Sequence, residues 1–340
     1  MARPAERTRV RIAVDAMGGD NAPSALVLGA IEASRTGAVD VTLVGDPDRI
    51  RPLLPRRRPP RVVAAEEVIG MDEAPAAGVR RKTGSSVRRT LQLVASGEVD
   101  GAVCCGHTGA VLVATVLELG LLDGVDRPAV ATVLPRSDGG RLILLDAGAN
   151  VDCRPEQLAR FALLGSAYAE VLGAIEPRVG LLANGEEDGK GNAQVRASLP
   201  LLRSLPIRLV GNIEPTAAMA GGCDVLVCDG FVGNILLKAA EGAVETVVKL
   251  LREEIRRTPM GRVGALMLRG AFRRFRDRVA WDAHGGALLL GAKGVVVVGH
   301  GRANPQAVAQ AIRVAARAAE GGLVPALAER LAGSPVVVAP

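Results

Sequence analysis

The chain has 340 residues, 49% of them apolar, so it can bury one large core or two smaller ones flanking a cleft, and intrinsic disorder is excluded. One Trp, one Tyr and four Phe exclude a stacking platform for single-stranded nucleic acid, and 42 Lys plus Arg against 36 Asp plus Glu leave a mild +6 that favours anionic partners. The five cysteines form no Cys-x-x-Cys pair, and Cys104 and Cys105 are adjacent, which argues against a secreted disulfide framework.

No apolar run approaches the ~18 residues of a membrane-spanning helix. The basic start is followed only by Ile12, Ala13 and Val14 before Asp15. A secretory signal would need roughly 7–15 apolar residues there. The expectation is a cytoplasmic protein.

Taken in chain order, short apolar runs at 10–15, 41–45, 61–64, 101–105, 129–134, 142–146, 179–183, 207–211, 224–228 and 294–298 predict strands. They are continuously apolar rather than alternating, as in strands covered on both faces. Longer periodic patterns at 24–35, 85–96, 108–119, 155–172, 192–205, 234–257 and 305–319 predict helices, the first with Ser24 as its N-cap. This alternation predicts an α/β fold with a mostly parallel sheet and right-handed crossovers.

Six of the strands run into glycine-rich polar loops. They begin at Asp15-Ala-Met-Gly18-Gly19-Asp20, Gly106-His107-Thr108-Gly109, Asp146-Ala-Gly-Ala-Asn150, Asn184-Gly-Glu-Glu-Asp-Gly-Lys190-Gly-Asn192, Gly211-Asn-Ile-Glu214 and Asp229-Gly-Phe-Val-Gly-Asn234. Parallel strands would place all six loops along one sheet edge, where ligands of such folds bind. Glycines let backbone N–H groups approach a ligand, and several loops open into a helix N-terminus, which suits an anion such as phosphate. Each loop taken alone reads first as an ordinary turn, and it is six of them at strand ends that favour a site. The segment 79–86 adds Arg80, Arg81 and Lys82 to Ser85 and Ser86 at a helix start, either a phosphate cradle or a solvated basic surface.

Common signatures are missing. There is no Gly-x-x-x-x-Gly-Lys-Ser/Thr and no Gly-x-Gly-x-x-Gly after a strand. Arg88 stands where a nucleophile elbow needs glycine after Gly84-Ser85-Ser86-Val87. The three histidines show no metal-ligand spacing, and Glu186, Glu187 and Asp188 read as a solvated acidic turn. Neither a metal nor a cofactor is expected.

Together these loops resemble one family, the bacterial acyl-phosphate synthases, also called phosphate acyltransferases. The similarity runs from Val10 to about Leu331 and includes Met71-Asp72, Gly148-Ala-Asn-Val-Asp152 and Gly285-Gly286-Ala287. It implies a two-domain α/β/α sandwich like isocitrate dehydrogenases and phosphotransacetylases, with one discontinuous domain at 1–134 plus 285–340 and a second at 135–284 carrying a helical basic protrusion near 240–280. It implies transfer of a long fatty acyl group from acyl carrier protein to inorganic phosphate, by a homodimer that feeds a glycerol-3-phosphate acyltransferase. The family's catalytic lysine and asparagine match Lys190 and Asn234. Asp15, Gly18, Gly19, Asp20, Lys82, Ser85, Ser86, His107, Thr108, Gly109, Asn150, Asn192, Asp229, Gly285 and Gly286 are candidates for binding substrate or phosphate. Relatives usually carry Asn where this chain has His107, which alternatively caps the following helix.

The implied mechanism is direct attack of phosphate on the thioester, with no covalent acyl-enzyme. A thiol at Cys104 or Cys105 is the mechanistic rival, although two small residues ending a buried strand read as packing. Two other activities stay open: a coenzyme A-dependent phosphotransacylase, and an NAD-dependent decarboxylating dehydrogenase of similar architecture. The stretch 255–279 holds eight arginines against Asp277, with apolar residues at helical spacing. It reads as a peripheral contact with the inner membrane face through Val263, Leu266, Met267 and Leu268, as a docking face for an acidic carrier protein, or as a surface helix.

Overall fold

A computed structural model describes residues 9–35, 37–279 and 286–334. Its strands are β1 (Val10–Asp15), β2 (Val39–Gly45), β3 (Arg61–Ala64), β4 (Gly101–Cys104), β5 (Ala129–Pro135), β6 (Arg141–Leu145), β7 (Arg178–Leu182), β8 (Arg208–Ile213), β9 (Val225–Val227), β10 (Ala287–Leu290) and β11 (Val295–Val298). The helices are α1 (Ser24–Ser34), α2 (Pro47–Ile50), α3 (Pro75–Arg81), α4 (Ser86–Ala95), α5 (Thr108–Glu118), α6 (Pro155–Val171), α7 (Ala193–Arg203), α8 (Pro215–Ala217), α9 (Gly230–Arg257), α10 (Pro259–Met267), α11 (Arg269–Val279), α12 (Pro305–Glu320) and α13 (Leu323–Ala332).

The strands form one sheet in the order β3-β2-β1-β4-β11-β10-β5-β6-β9-β7-β8. Successive strand residues feed opposite layers. Val103 and Cys105 face the core under α1, α6, α7, α12 and α13, while Ala102 and Cys104 face the core under α3, α4 and α5. Both faces being apolar, the strands lose the alternation of a half-exposed sheet. The result is the expected α/β/α sandwich.

Three features depart from the sequence reading. First, β10 was not anticipated. It pairs antiparallel with both β11 and β5, and β5 pairs antiparallel with β6. From β6 onward the pairing is parallel again through β9, β7 and β8. Strands β6, β7, β8 and β9 therefore run opposite to β1 and β4, and the six loops do not share one edge: two leave by one edge and four by the other. Second, Pro23 rather than Ser24 holds the N-cap position of α1, with no side-chain cap bond. Third, the helix starting near 234 begins at Gly230, and the basic stretch after it is broken into α10 and α11 by Thr258-Pro259 and Leu268. Thr258 caps α10 by accepting from Gly261 N–H.

Candidate active site

The β1 and β4 loops meet backbone to backbone. A side chain on Gly18 would sit 2.9 Å from Gly106 N, and one on Gly19 would sit 2.8 Å from the carbonyls of Cys105 and Gly301. This close approach is why two glycines follow Met17. Asp15 is buried at the hub of this junction, accepting from Met17 N–H at 3.0 Å, from Gly18 N–H and from the Ser86 hydroxyl. Burial raises its pKa against the pull of those bonds. Asp20 N–H donates to Gly301 O at 2.8 Å, bringing in the loop after β11, which the sequence reading did not single out. The glycines and polar residues at 299–303 directly after an apolar strand were the available signal.

The other edge has its own hub. Asp146 is fully buried and accepts from the backbone N–H groups of Val130, Gly148, Ala149 and Asn150 and from Asn150 Nδ2. Burial pushes its carboxyl pKa up while these donors pull it down. Asn150 also donates to Pro128 O and accepts from Gly230 N–H at 2.7 Å, so the loop grips the start of α9. Asp229 caps that helix through Val232 N–H at 2.9 Å. A methyl group on Gly233 would collide with the carbonyl of Asp146, so glycine is required where α9 crosses the loop. This crossing places Asn234 against Gly148: a side chain there would lie 3.5 Å from Asn234 Cγ.

Between the two hubs lies a cleft of about 1700 Å³. Of the sequence candidates it gathers Asp20, Thr108, Asn234 and Gly286, together with Gly106 and Gly148 and with Val130, Thr132 and Val133 of β5. Thr108 opens α5 and Asn234 is the fifth residue of α9, so the N-terminus of α5, which favours an anion, and the second turn of α9 face the same space. His107 is the N-cap of α5, its Nδ1 accepting from Gly109 N–H at 3.2 Å. That is the capping role foreseen as its alternative.

The remaining candidates lie beside the cleft or farther away. Ser85 and Ser86 are buried at the start of α4, and the Ser85 hydroxyl has no hydrogen-bond partner. Lys82 is committed to Glu73 at 2.5 Å and Val68 O at 2.6 Å, and the Lys82 bond, with those from Gly70 N–H and Arg81, holds the Glu73 pKa down at about 2. Asn192 caps α7 through Val195 N–H. Lys190, on the loop after β7, is half exposed and 4.0 Å from Glu187, and it does not line the cleft. Because β7 and β9 are parallel neighbours, its loop leaves by the same edge as Asn234. Gly285 lies outside the described residues. Burial pushes the Cys105 thiol up to about 12 and raises Cys104 well above the ordinary thiol range, which keeps both as unreactive thiols. Among the described residues no group of three His, Cys, Asp or Glu could hold a metal.

At the far end of the cleft, Val263, Leu266, Met267 and Leu268 are all more than half exposed. Among the described residues no helix is long and apolar enough to cross a membrane.

The fold is similar to that of phosphotransacetylases and of 4-hydroxythreonine-4-phosphate dehydrogenases. A phosphotransacetylase from Streptococcus pyogenes superposes with a TM-score of 0.62 at 17% identity, covering 92% of this chain and 95% of its own. The model of the fatty acid synthesis protein family matches residues 10–325. A phosphate acyltransferase of Desulfitobacterium hafniense is 44% identical over 327 residues, 95% of this chain and 98% of that protein. One from Desulforudis audaxviator is 47% identical over 94% of this chain and 95% of that protein. The chain belongs to the phosphate acyltransferase family of fatty acid synthesis proteins, and it is an acyltransferase.

Proposed function

We propose that the protein transfers a long-chain fatty acyl group from acyl carrier protein to inorganic phosphate, giving acyl phosphate and free carrier protein for phospholipid synthesis. The observation that carries this reading is the placement of Asn234 and the N-terminus of α5 around one cleft between two glycine-lined hubs.

A thioester is already activated and phosphate is a competent nucleophile, so the enzyme chiefly holds the two together and stabilises the developing oxyanion. Phosphate sits against the N-terminal turn of α5, where Thr108 and backbone N–H groups receive its charge. Its oxygen attacks the thioester carbonyl, forming the C–O bond while Asn234 Nδ2 donates to the carbonyl oxygen. Collapse of the tetrahedral intermediate breaks the C–S bond and releases the carrier thiol. Lys190 extends from its loop to balance the charge. Lys82, through its bond to Glu73, and the buried Asp15, Ser85 and Ser86 support the cradle rather than touch phosphate directly.

The apolar end of α10, flanked by arginines, rests on an anionic membrane surface, where a downstream glycerol-3-phosphate acyltransferase can take the product. The protein works there as a homodimer, with one discontinuous domain at 1–134 plus 285–340 and a second, continuous one at 135–284. Sedimentation with anionic liposomes falls on changing Leu266 and Leu268 to Asp; unchanged sedimentation removes the membrane contact.

The deciding assay supplies purified protein with palmitoyl-acyl carrier protein and phosphate. Acyl phosphate and free carrier protein appear in equal amounts, and palmitoyl-coenzyme A is a poor substitute. Lys190→Ala and Asn234→Ala each lower kcat by about 10²–10³ with unchanged melting. Trapping a labelled acyl group on the protein overturns direct attack, and native turnover by either variant removes that residue from the site.

A further inference from the structure

Gly211-Asn212-Ile213 ends β8, which pairs with β7 at the edge of the sheet. The register steps by one residue there: Val179 lies opposite Leu209, yet Gly180 lies opposite Gly211, and Val210 is left over as a bulge. Gly211 has φ +96°, in the left-handed region that glycine enters without strain. A bulge moves the residues after it to the other face of the strand. Accordingly a side chain on Gly180 would meet both Ile213 and Val210, at 2.5 and 3.3 Å, although a regular strand puts positions three apart on opposite faces. Asn212 thereby takes the face opposite Ile213, where it is buried at 5% exposure.

From there Asn212 reaches the loop after β7. Its Nδ2 donates to Glu187 O at 2.9 Å. The same carbonyl accepts from Lys190 N–H at 2.9 Å, the bond that closes the turn from Glu187 to Lys190. The stem of Lys190 runs back over Gly185, where a side chain would sit 2.8 Å from Lys190 Cγ and 2.9 Å from Glu187 Oε2. The Lys190 ammonium is 4.0 Å from Glu187, outside hydrogen-bond distance, so the backbone of the turn rather than this pair sets where the lysine points. Asn212 Oδ1 is buried with no hydrogen-bond partner among the described residues. An apolar side chain would avoid that orphaned acceptor, so asparagine is kept here for the one bond that Nδ2 makes.

Resting on the acyl-transfer reading above, we propose that Asn212 is a positioning residue: through one shared carbonyl it fixes the turn from Glu187 to Lys190 and so sets where the Lys190 ammonium is delivered. Asn212 does not line the cleft. Its contribution passes through Lys190, so it lowers the barrier to the chemical step and leaves the affinity for the carrier protein unchanged. A lysine misplaced by about 1 Å costs up to about 10²-fold in rate.

The test is a double-mutant cycle on kcat and KM for palmitoyl-acyl carrier protein, with hydrogen exchange of the peptide spanning 184–192 measured alongside. Asn212→Ala lowers kcat between about tenfold and 10²-fold and keeps KM within about threefold. In the Lys190→Ala protein the same change costs less than about twofold, because no lysine is left to place. Exchange at 184–192 speeds at least tenfold in Asn212→Ala, the Lys190 amide being held by the shared carbonyl. Arg203→Ala, which removes the exposed pair to Asp188 on the same loop, keeps native kcat and native exchange. Asn212→Asp keeps the shape, lacks the donor, and repeats the cycle should the alanine variant melt early. An equal loss of kcat with and without Lys190 overturns the proposal and makes Asn212 a support of the fold. Native kcat and native exchange in Asn212→Ala overturn it as well. If the native protein transfers no acyl group but exchange at 184–192 responds to Asn212→Ala and not to Arg203→Ala, the acyl-transfer reading fails and the hold of Asn212 on the lysine turn stands.

Discussion

Asp146→Asn isolates the hub that places Asn234. One carboxylate oxygen, Oδ1, accepts from Val130, Gly148 and Ala149 N–H at 3.0, 3.1 and 3.0 Å. The other, Oδ2, accepts from Asn150 N–H at 2.7 Å and Asn150 Nδ2 at 2.8 Å. An amide keeps one acceptor and turns the other into a donor. Keeping the oxygen at the three-bond side is the better choice, and it leaves two donors of Asn150 facing an NH₂ group. Each orphaned buried donor costs about 1–3 kcal/mol, so the variant loses about 2–6 kcal/mol in all. Shape is unchanged, so no cavity adds to the loss. Because Asn150 O also anchors Gly230 N–H, the first turn of α9 loosens and kcat/KM falls with stability. Urea unfolding at pH 7 measures it as a drop in midpoint at constant slope. A loss under about 0.5 kcal/mol would refute the idea that this carboxylate organises the loop.

Two further predictions concern charge and capping. At Asp224, burial opposes ionisation, but bonds from Arg178 and Arg136 outweigh it and hold the pKa at about 2 against 3.8 in a free side chain. Its stabilisation is thus complete above about pH 4 and lost as pH falls toward 2; discounted for partial exposure, it amounts to about 1–2 kcal/mol. The stability difference between native protein and Asp224→Asn should therefore shrink between pH 4 and pH 2, and an equal difference at pH 2.5 and pH 6 would contradict the assignment. At the start of α5, His107→Ala removes the cap and costs about 0.5–2 kcal/mol, whereas His107→Asn restores an acceptor and stays near native. Equal melting of the two variants would show that capping is not what His107 supplies.

The sequence by itself determined ten of the eleven described strands, the glycine loops that follow them and the family. Each of those features is local: an apolar run covered on both faces, a glycine where two backbones touch, an Asp or Asn at a helix start. It also determined that His107 could cap α5, because Nδ1 and Gly109 N–H are two residues apart. What only the tertiary structure decided is which loops meet. The two antiparallel pairings of β10 cancel, and it is the antiparallel β5–β6 pairing that reverses the direction of half the sheet; no residue pattern in the six loops reports that reversal. Likewise Asn150 and Lys82 read as candidate binding residues until folding gave each its partners. Direction and partnership are set by pairings between residues far apart in the chain, and a sequence read locally carries only the propensities from which those pairings are chosen.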